Sequence, residues 1–348
     1  MKLGVRGGPG IAPDARADEL AEALVARCRA AGDEGQVVAP GEAYDVDVVL
    51  ALQPTARCDV YLPLDGLVAD ARIAGDRARR PGFLERVQRR LGDARHRARL
   101  QAERQLLAHG EGPLVLAVSE ALRQRLRVVY PQAARRIAVV PRGVDIEHFQ
   151  REPWVGPGLQ LRRQLGLEGT YVALFAARDP WRGGLETALR AVQRARDSHP
   201  CVHLVVTGCH MPRALRRHVR RLDIAARVHA LGPCDDLRPW LATADVLAHP
   251  TWYAPASPLV LEALAMSLPV ITTPVDGARE VMGQRGGIVL EGPGEPEALA
   301  VAFGTLADEE LRAFTREDAR YVALRTRLAT RLDQILDHCR DVLARRRA

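Results

Sequence analysis

The sequence predicts an α/β protein made of two doubly wound parallel sheets with a cleft between them, and three observations predict it. At 348 residues the chain is too long for one ordinary core and suits two packed domains. Short Val/Leu/Ala runs alternate with longer Arg/Ala/Leu stretches, the rhythm of βαβ units rather than of a β-sandwich or a helical bundle. Near mid-chain the stretch QREPWVGPG, residues 150–158, is rich in Pro and Gly and reads as an interdomain linker. The expected domains are therefore residues 1–152 and 153–320, with 321–348 a C-terminal helix returning to the first.

The elements follow in order. LGV opens a first strand that breaks at Gly7-Gly8-Pro9-Gly10, before a helix from Asp14 to Ala30. VDVVLAL (46–52) and CDVYLPL (58–64) read as buried strands, and residues 84–108 as a long Arg-studded helix. Residues 114–118 form a strand that ends at Ser119, a helix cap placed just before the apolar face of the next helix. IAVVPRGVD is a strand running into a turn. In the second half the strands are 171–177, 202–208, RVHALG, 245–250, 269–273 and 287–290. The helices between them are LETALRAVQRAR, 213–222, 236–243, 258–267 and 277–282, and a last helix covers 318–346.

Composition narrows the function classes. The six cysteines, Cys28, Cys58, Cys201, Cys209, Cys234 and Cys339, include no C-x-x-C pair, so neither a disulfide framework nor a zinc site is expected. MKLGVRGGPG lacks the apolar core of a signal peptide, and no run approaches the roughly 18 to 20 apolar residues that span a bilayer, so a cytoplasmic protein is expected. A net charge of +7 suits an acidic partner, whether nucleic acid, an anionic membrane face or a phosphorylated substrate. With 4% aromatic residues and none interleaved among the basic ones, nucleic acid is set aside. Lys2 is the only lysine, so arginine stands wherever a cation is needed.

Two loops of the second half carry residue types suited to a nucleoside diphosphate. Beyond the strand at 171–177 comes Arg178-Asp179-Pro180-Trp181-Arg182-Gly183-Gly184. This is two cations on a turn whose glycines admit an anion to the backbone, or else an ordinary solvated turn of an Arg-rich chain. HPTWYAPASPLVLEALAMSLPV runs from a strand through a Pro/Ser-rich turn into a helix starting near Ser257-Pro258. Its positive end suits a phosphate oxygen or a sugar hydroxyl. Glu262, one turn in, can accept hydrogen bonds from two ribose hydroxyls, or can be a surface glutamate favoured by the helix dipole. His210, His249 and Cys209 read as isolated strand-end or loop residues in core or surface roles.

The succession VVPRGVDIEHF, FAARDPWRGGLETALRAV, VTGCHMPRALRRHV, RVHALG and ATADVLAHPTWYAPASPLVLEALAMSLPVITTPVDGAREVM resembles the family-4 glycosyltransferases of GT-B fold, two Rossmann-like domains facing across a cleft. The resemblance covers residues 114–300. CDVYLPLDGLVADARIAG, the Arg-rich helix after it and GPLVLAVSEALRQRLRVVYP look like the lipopolysaccharide core glucosyltransferase I branch. The resemblance implies transfer of a hexose from a nucleotide sugar, a UDP-sugar, to a glycolipid or lipopolysaccharide-like acceptor, with retention of configuration. It needs no cofactor, and no D-x-D metal cluster is evident at a strand end. It also implies a place at the inner face of the membrane, where the Arg-rich helix 85–104 binds an anionic surface or acceptor phosphates, or is simply a solvated face.

Carried over by position, the resemblance puts Arg178 and Arg182 against the donor diphosphate, Arg182 standing for the usual lysine. Ser257, Pro258, Leu259 and Val260 match the diphosphate-facing helix start, and Glu262 the second glutamate of a paired motif, the one that holds the ribose. Gly7 and Gly8 match the glycine turn of the first domain. The first glutamate of the pair, expected eight positions before Glu262, is Ala254. Its role falls to another acid such as Asp65 or Asp179, or the donor sugar differs, or the protein is a non-catalytic nucleotide-sugar-binding or assembly protein. The catalytic aspartate expected after the glycine turn is not matched, Asp14 lying further along.

Overall fold

The computed structural model describes residues 1–7, 15–39, 45–80, 93–196 and 202–348. They divide into two compact units, one of residues 1–73, 81–143 and 328–348, the other of 74–80 and 144–327.

The first unit is built on a parallel six-stranded sheet in the order β2-β1-β3-β4-β5-β6. The strands are β1 (Lys2–Arg6), β2 (Glu34–Val37), β3 (Val48–Ala51), β4 (Val60–Tyr61), β5 (Leu114–Ala117) and β6 (Ile137–Val139). Its helices are α1 (Ala15–Ala30), α2 (Val68–Arg79), α3 (Ala94–Leu107) and α4 (Glu120–Val129). Central strands such as β3 and β5 are almost wholly buried, which is why they read as unbroken apolar runs in the sequence. The expected cap is present, Ser119 Oγ accepting from the Leu122 N–H at 3.2 Å. The strand at 34–37 and the helix at 68–79 carry too few large apolar residues to stand out by periodicity. A buried carboxylate fixes the second of these: Glu103 on α3 accepts from the Val68 N–H at 2.9 Å and the Tyr130 hydroxyl at 3.0 Å. Burial pushes the Glu103 carboxyl pKa up.

The second unit holds a parallel sheet in the order β12-β11-β10-β7-β8-β9. Its strands are β7 (Tyr171–Ala176), β8 (Val202–Thr207), β9 (Val228–Gly232), β10 (Val246–Ala248), β11 (Val270–Thr272) and β12 (Gly287–Val289). Helices α5 (Glu152–Gln164), α6 (Leu185–Ala195), α7 (Arg213–Arg221), α8 (Arg238–Thr243), α9 (Pro258–Ala265), α10 (Arg279–Met282), α11 (Pro296–Ala307) and α12 (Glu309–Leu324) surround it. Two apolar clusters sandwich the sheet. One includes Leu174, Leu247, Val260 and Leu264, the other Phe175, Leu189, Val206 and Phe303.

Two expectations about organisation change. The Pro/Gly stretch at 150–158 is not a linker but the first half of α5: Pro153 sits in the first turn, where no N–H is needed, and Pro157 is tolerated inside. Gly158 is there for packing, because a Cβ on it would meet the Pro239 carbonyl oxygen at 2.2 Å and Thr243 at 2.5 Å. The boundary between units instead lies at Gly143/Val144. The single helix expected over 318–346 is two helices, α12 and α13 (Leu328–Arg347). The chain leaves the helix between them so that the Thr326 carbonyl can accept from the Val144 N–H at 2.9 Å. In the first unit, α13 is tied down by Asp333 to Arg27 at 2.7 Å and by Arg340 to Asp33 at 2.9 Å.

Asp245, at the amino end of β10, gathers the opposite end of the second sheet. Its carboxylate accepts from the Val172 N–H at 2.8 Å and Arg162 at 3.2 Å, with Arg312 and Arg316 at 3.6 Å. Removing it leaves three guanidinium groups facing one another in a largely buried corner. Asp245→Ala is expected to cost about 3 kcal/mol or more, the scale of a broken buried ion pair, read as a lower midpoint in urea unfolding.

Candidate functional site

In the second sheet the strand order reverses between β10 and β7: the chain leaves β7 toward β8 and β9, and leaves β10 toward β11 and β12. Diverging connections open a crevice beyond the carboxyl ends of the two strands, the usual ligand position of a doubly wound sheet. The loops that leave them, residues 177–184 and 249–257, are the two already marked out by residue type.

The first loop is a closed turn. Asp179 Oδ1 accepts from the N–H groups of Trp181 at 3.0 Å and Arg182 at 3.2 Å, and the Asp179 and Pro180 carbonyls accept from Gly183 and Leu185 at 2.9 and 2.8 Å. One oxygen of Asp179 is thus occupied in shaping the turn that presents Arg178, exposed, and Arg182, half-buried. Gly184 ends it with φ +84°, and a Cβ there would lie 2.0 Å from the Pro250 carbonyl oxygen. Glycine is needed twice over, for the left-handed conformation and for the contact. That contact carries the first loop across the second: the Arg182 carbonyl accepts from the Trp252 N–H at 2.8 Å and lies 3.2 Å from the Thr251 hydroxyl.

The second loop leads into α9. Ser257 caps the helix, its Oγ accepting from the Val260 N–H at 3.4 Å, and Pro258 occupies the first turn. The side chains of Leu259 and Val260 are buried in the core, so these two positions offer the crevice backbone rather than side chain. Glu262 is half-buried one turn along. Four expected residues, Arg178, Arg182, Ser257 and Glu262, therefore stand on two loop-helix segments that meet at the strand-order reversal.

Gly7 and Asp65 belong to the first unit, both beyond carboxyl ends of its strands. Gly7 closes β1, whose pairing with β2 on one side and β3 on the other is that sheet's own reversal, and a Cβ on it would meet Asp18 Oδ1 at 3.0 Å. Gly8 and Asp14 lie outside the described residues. Asp65, itself exposed in an otherwise buried turn between β4 and α2, has its Oδ2 3.4 Å from Arg99 Nη2. No group of three or more His, Cys, Asp or Glu side chains suited to a metal ion occurs among the described residues.

One residue of the second loop's surroundings has no forerunner in the motif reading. Asp276 is completely buried, and its Oδ1 accepts from the N–H groups of Ser257 at 3.0 Å and Ala278 at 2.9 Å. The Thr272 hydroxyl lies 3.2 Å and His249 Nε2 3.6 Å from Oδ2. His249 is accordingly a buried strand-end residue rather than an isolated one. The only trace in the sequence is an Asp-Gly step just beyond a strand end.

Residues 170–309 match the profile of the family described as glycosyl transferases group 1. Over 285 residues the chain is 26% identical to the lipopolysaccharide glucosyltransferase WaaG of Escherichia coli K12, covering 80% of this chain and 73% of that protein. Within residues 170–309, then, the chain is similar to the group 1 glycosyltransferases. A putatively assigned glycosyltransferase of Bacillus subtilis, YtcC, is 27% identical over 223 residues, and there the alignment spans only 54% of the relative's length. In fold, the crystal structure of WaaG superposes with a TM-score of 0.76 at 20% identity, covering 97% of this chain and 99% of that one. Anabaena HepE in complex with UDP-glucose gives 0.73 at 19% identity over 97% and 99%. The fold is GT-B, two parallel-sheet Rossmann-like units.

In the second unit the crossing of the two loops at Gly184 has no room for a single methyl group. Gly184→Ala combines a disfavoured φ with a backbone clash that no rotamer relieves. It is expected to cost about 2 kcal/mol or more, visible as a lowered Tm.

Proposed function

We propose that the chain transfers a hexose from a UDP-sugar to a glycolipid or lipopolysaccharide-like acceptor with retention of configuration. The observation that carries this reading is the meeting of Arg178, Arg182, Ser257 and Glu262 at the strand-order reversal of the second unit. The family match spans the same loops, and the UDP-glucose bound to HepE, of like fold, supports the choice of donor. Lipopolysaccharide as acceptor class follows the WaaG relative.

In this reading Glu262 accepts hydrogen bonds from the ribose hydroxyls, and the start of α9 with the Ser257 hydroxyl faces the diphosphate. Arg178 and Arg182 neutralise the charge that grows on the diphosphate as its bond to the anomeric carbon breaks. The acceptor oxygen bonds to that carbon on the same face, and its proton passes to a diphosphate oxygen. Fixed positive charge aimed at a departing group is the electrostatic form of catalysis. Gly7 and Gly8 serve the acceptor side, and Asp65, which pairs with Arg99, is the carboxylate that supports charge at the anomeric centre, with Asp179 as the other candidate. A place against an anionic membrane face suits the net charge of +7, and no described helix is long and apolar enough to cross a membrane.

Ala254 favours a second reading, a nucleotide-sugar-binding protein without turnover. Its backbone is held on both sides, the N–H bonding to the Val275 carbonyl at 3.4 Å and the carbonyl accepting from the Gly277 N–H at 2.9 Å. No carboxylate can reach the sugar from this position.

A screen of UDP-sugars for hydrolysis and transfer, with and without glycolipid acceptors, tests the choice. Turnover is expected; folded protein that binds UDP and turns over nothing would favour the second reading. Glu262→Ala is expected to weaken UDP binding about tenfold or more by calorimetry, the scale of hydrogen bonds to a charged group. Arg182→Ala is expected to lower kcat about a hundredfold while UDP still binds.

A further inference from the structure

Asp276 is not in a position to touch a substrate, yet it holds more of the crevice than any residue the motif reading identified. Burying a carboxylate completely is costly unless its oxygens are satisfied. Here Oδ1 takes the first N–H before α9 and the first before α10, while Oδ2 faces the Thr272 hydroxyl at the end of β11 and His249 at the end of β10. One side chain thus ties together two strand ends and two helix starts. The backbone beside it pairs with residue 254, the position where the family's first glutamate is replaced by alanine. The loop at 251–257 is therefore gripped from two sides, by the Arg182 carbonyl on one and by Asp276 and Gly277 on the other.

We infer that Asp276 is a positioning residue for nucleotide binding: it fixes Ser257 and the start of α9 relative to the Arg178–Arg182 turn, and so sets the spacing of the diphosphate site without contacting the ligand. The inference rests on the donor-site reading of that crevice. Loss of the carboxylate frees the Ser257 N–H and lets the 255–257 end of the loop and the start of α9 shift, while the backbone bonds at Arg182, Val275 and Gly277 remain. An asparagine at this position keeps an acceptor oxygen for Ser257 and Ala278 and disturbs only the side facing Thr272 and His249.

UDP affinity and thermal stability measured side by side test this, with Asp245→Ala as the control. Asp245 is a half-buried carboxylate of the same unit at the amino end of the strands, away from the crevice. Asp276→Ala is expected to raise the Kd for UDP at least tenfold at temperatures where it is folded, and Asp276→Asn about threefold. Asp245→Ala is expected to lower Tm while leaving that Kd unchanged. Equal UDP affinity in Asp276→Asn and the parent protein, or an equal loss in Asp276→Ala and Asp245→Ala, would overturn the inference. If Asp276→Ala does not fold, the Asp276→Asn comparison decides alone. A parent protein that does not bind UDP would remove the donor-site reading itself, a result distinct from any of these.

Discussion

The architecture of the second unit depends on how closely the chain can pass itself where its strand order reverses. Gly184 and the Pro250 carbonyl meet at a distance that excludes any side chain, and every contact between the two functional loops follows from that approach. With the loops in register, the Arg182 carbonyl can serve Trp252 and Thr251, and the turn shaped by Asp179 presents its two arginines beside the start of α9. A bulkier residue at the crossing would part the loops and separate the cations from the helix start.

Around this crossing, the unit uses carboxylates, one half-buried and one fully buried, as fasteners. Asp245 holds the amino ends of the strands through a backbone N–H and a cluster of arginines, and Asp276 holds the carboxyl ends through backbone N–H groups and a hydroxyl. Their partners differ for a physical reason. Arginine neighbours satisfy a carboxylate where no ligand is to be bound. At the crevice, backbone amides and a hydroxyl satisfy Asp276 instead. The same device recurs in the first unit, where Glu103 fixes the start of α2, next to the turn that carries Asp65.

The local structure of the candidate site was legible because its signals are local. The Ser257 cap, Pro258 in the first turn and Glu262 one turn along form a helix-start pattern that needs no tertiary context, and the turn at 178–184 shows itself by its glycines. The Pro/Gly stretch at 150–158 misled for the same reason. Proline and glycine punctuate loops locally, but here they fit a helix to its neighbour, a use visible only once Gly158 is seen against Pro239 and Thr243. The break between α12 and α13 was hidden because its cause, the pairing of Thr326 with Val144, joins residues far apart in the chain.

By itself the sequence determined the α/β alternation, the strands of the second sheet, the caps at Ser119 and Ser257 and the likeness to a known family, since each is written in periodicity, in capping residues or in an ordered run of motifs. Only the tertiary structure decided which strands are neighbours, that the loops after β7 and β10 share one crevice, and that Asp276 lies beneath it. The physical reason is one of range. Propensity and capping act within a turn or two of helix, whereas strand order, backbone crossings and the burial of a lone carboxylate are set by contacts between segments that the chain brings together only on folding.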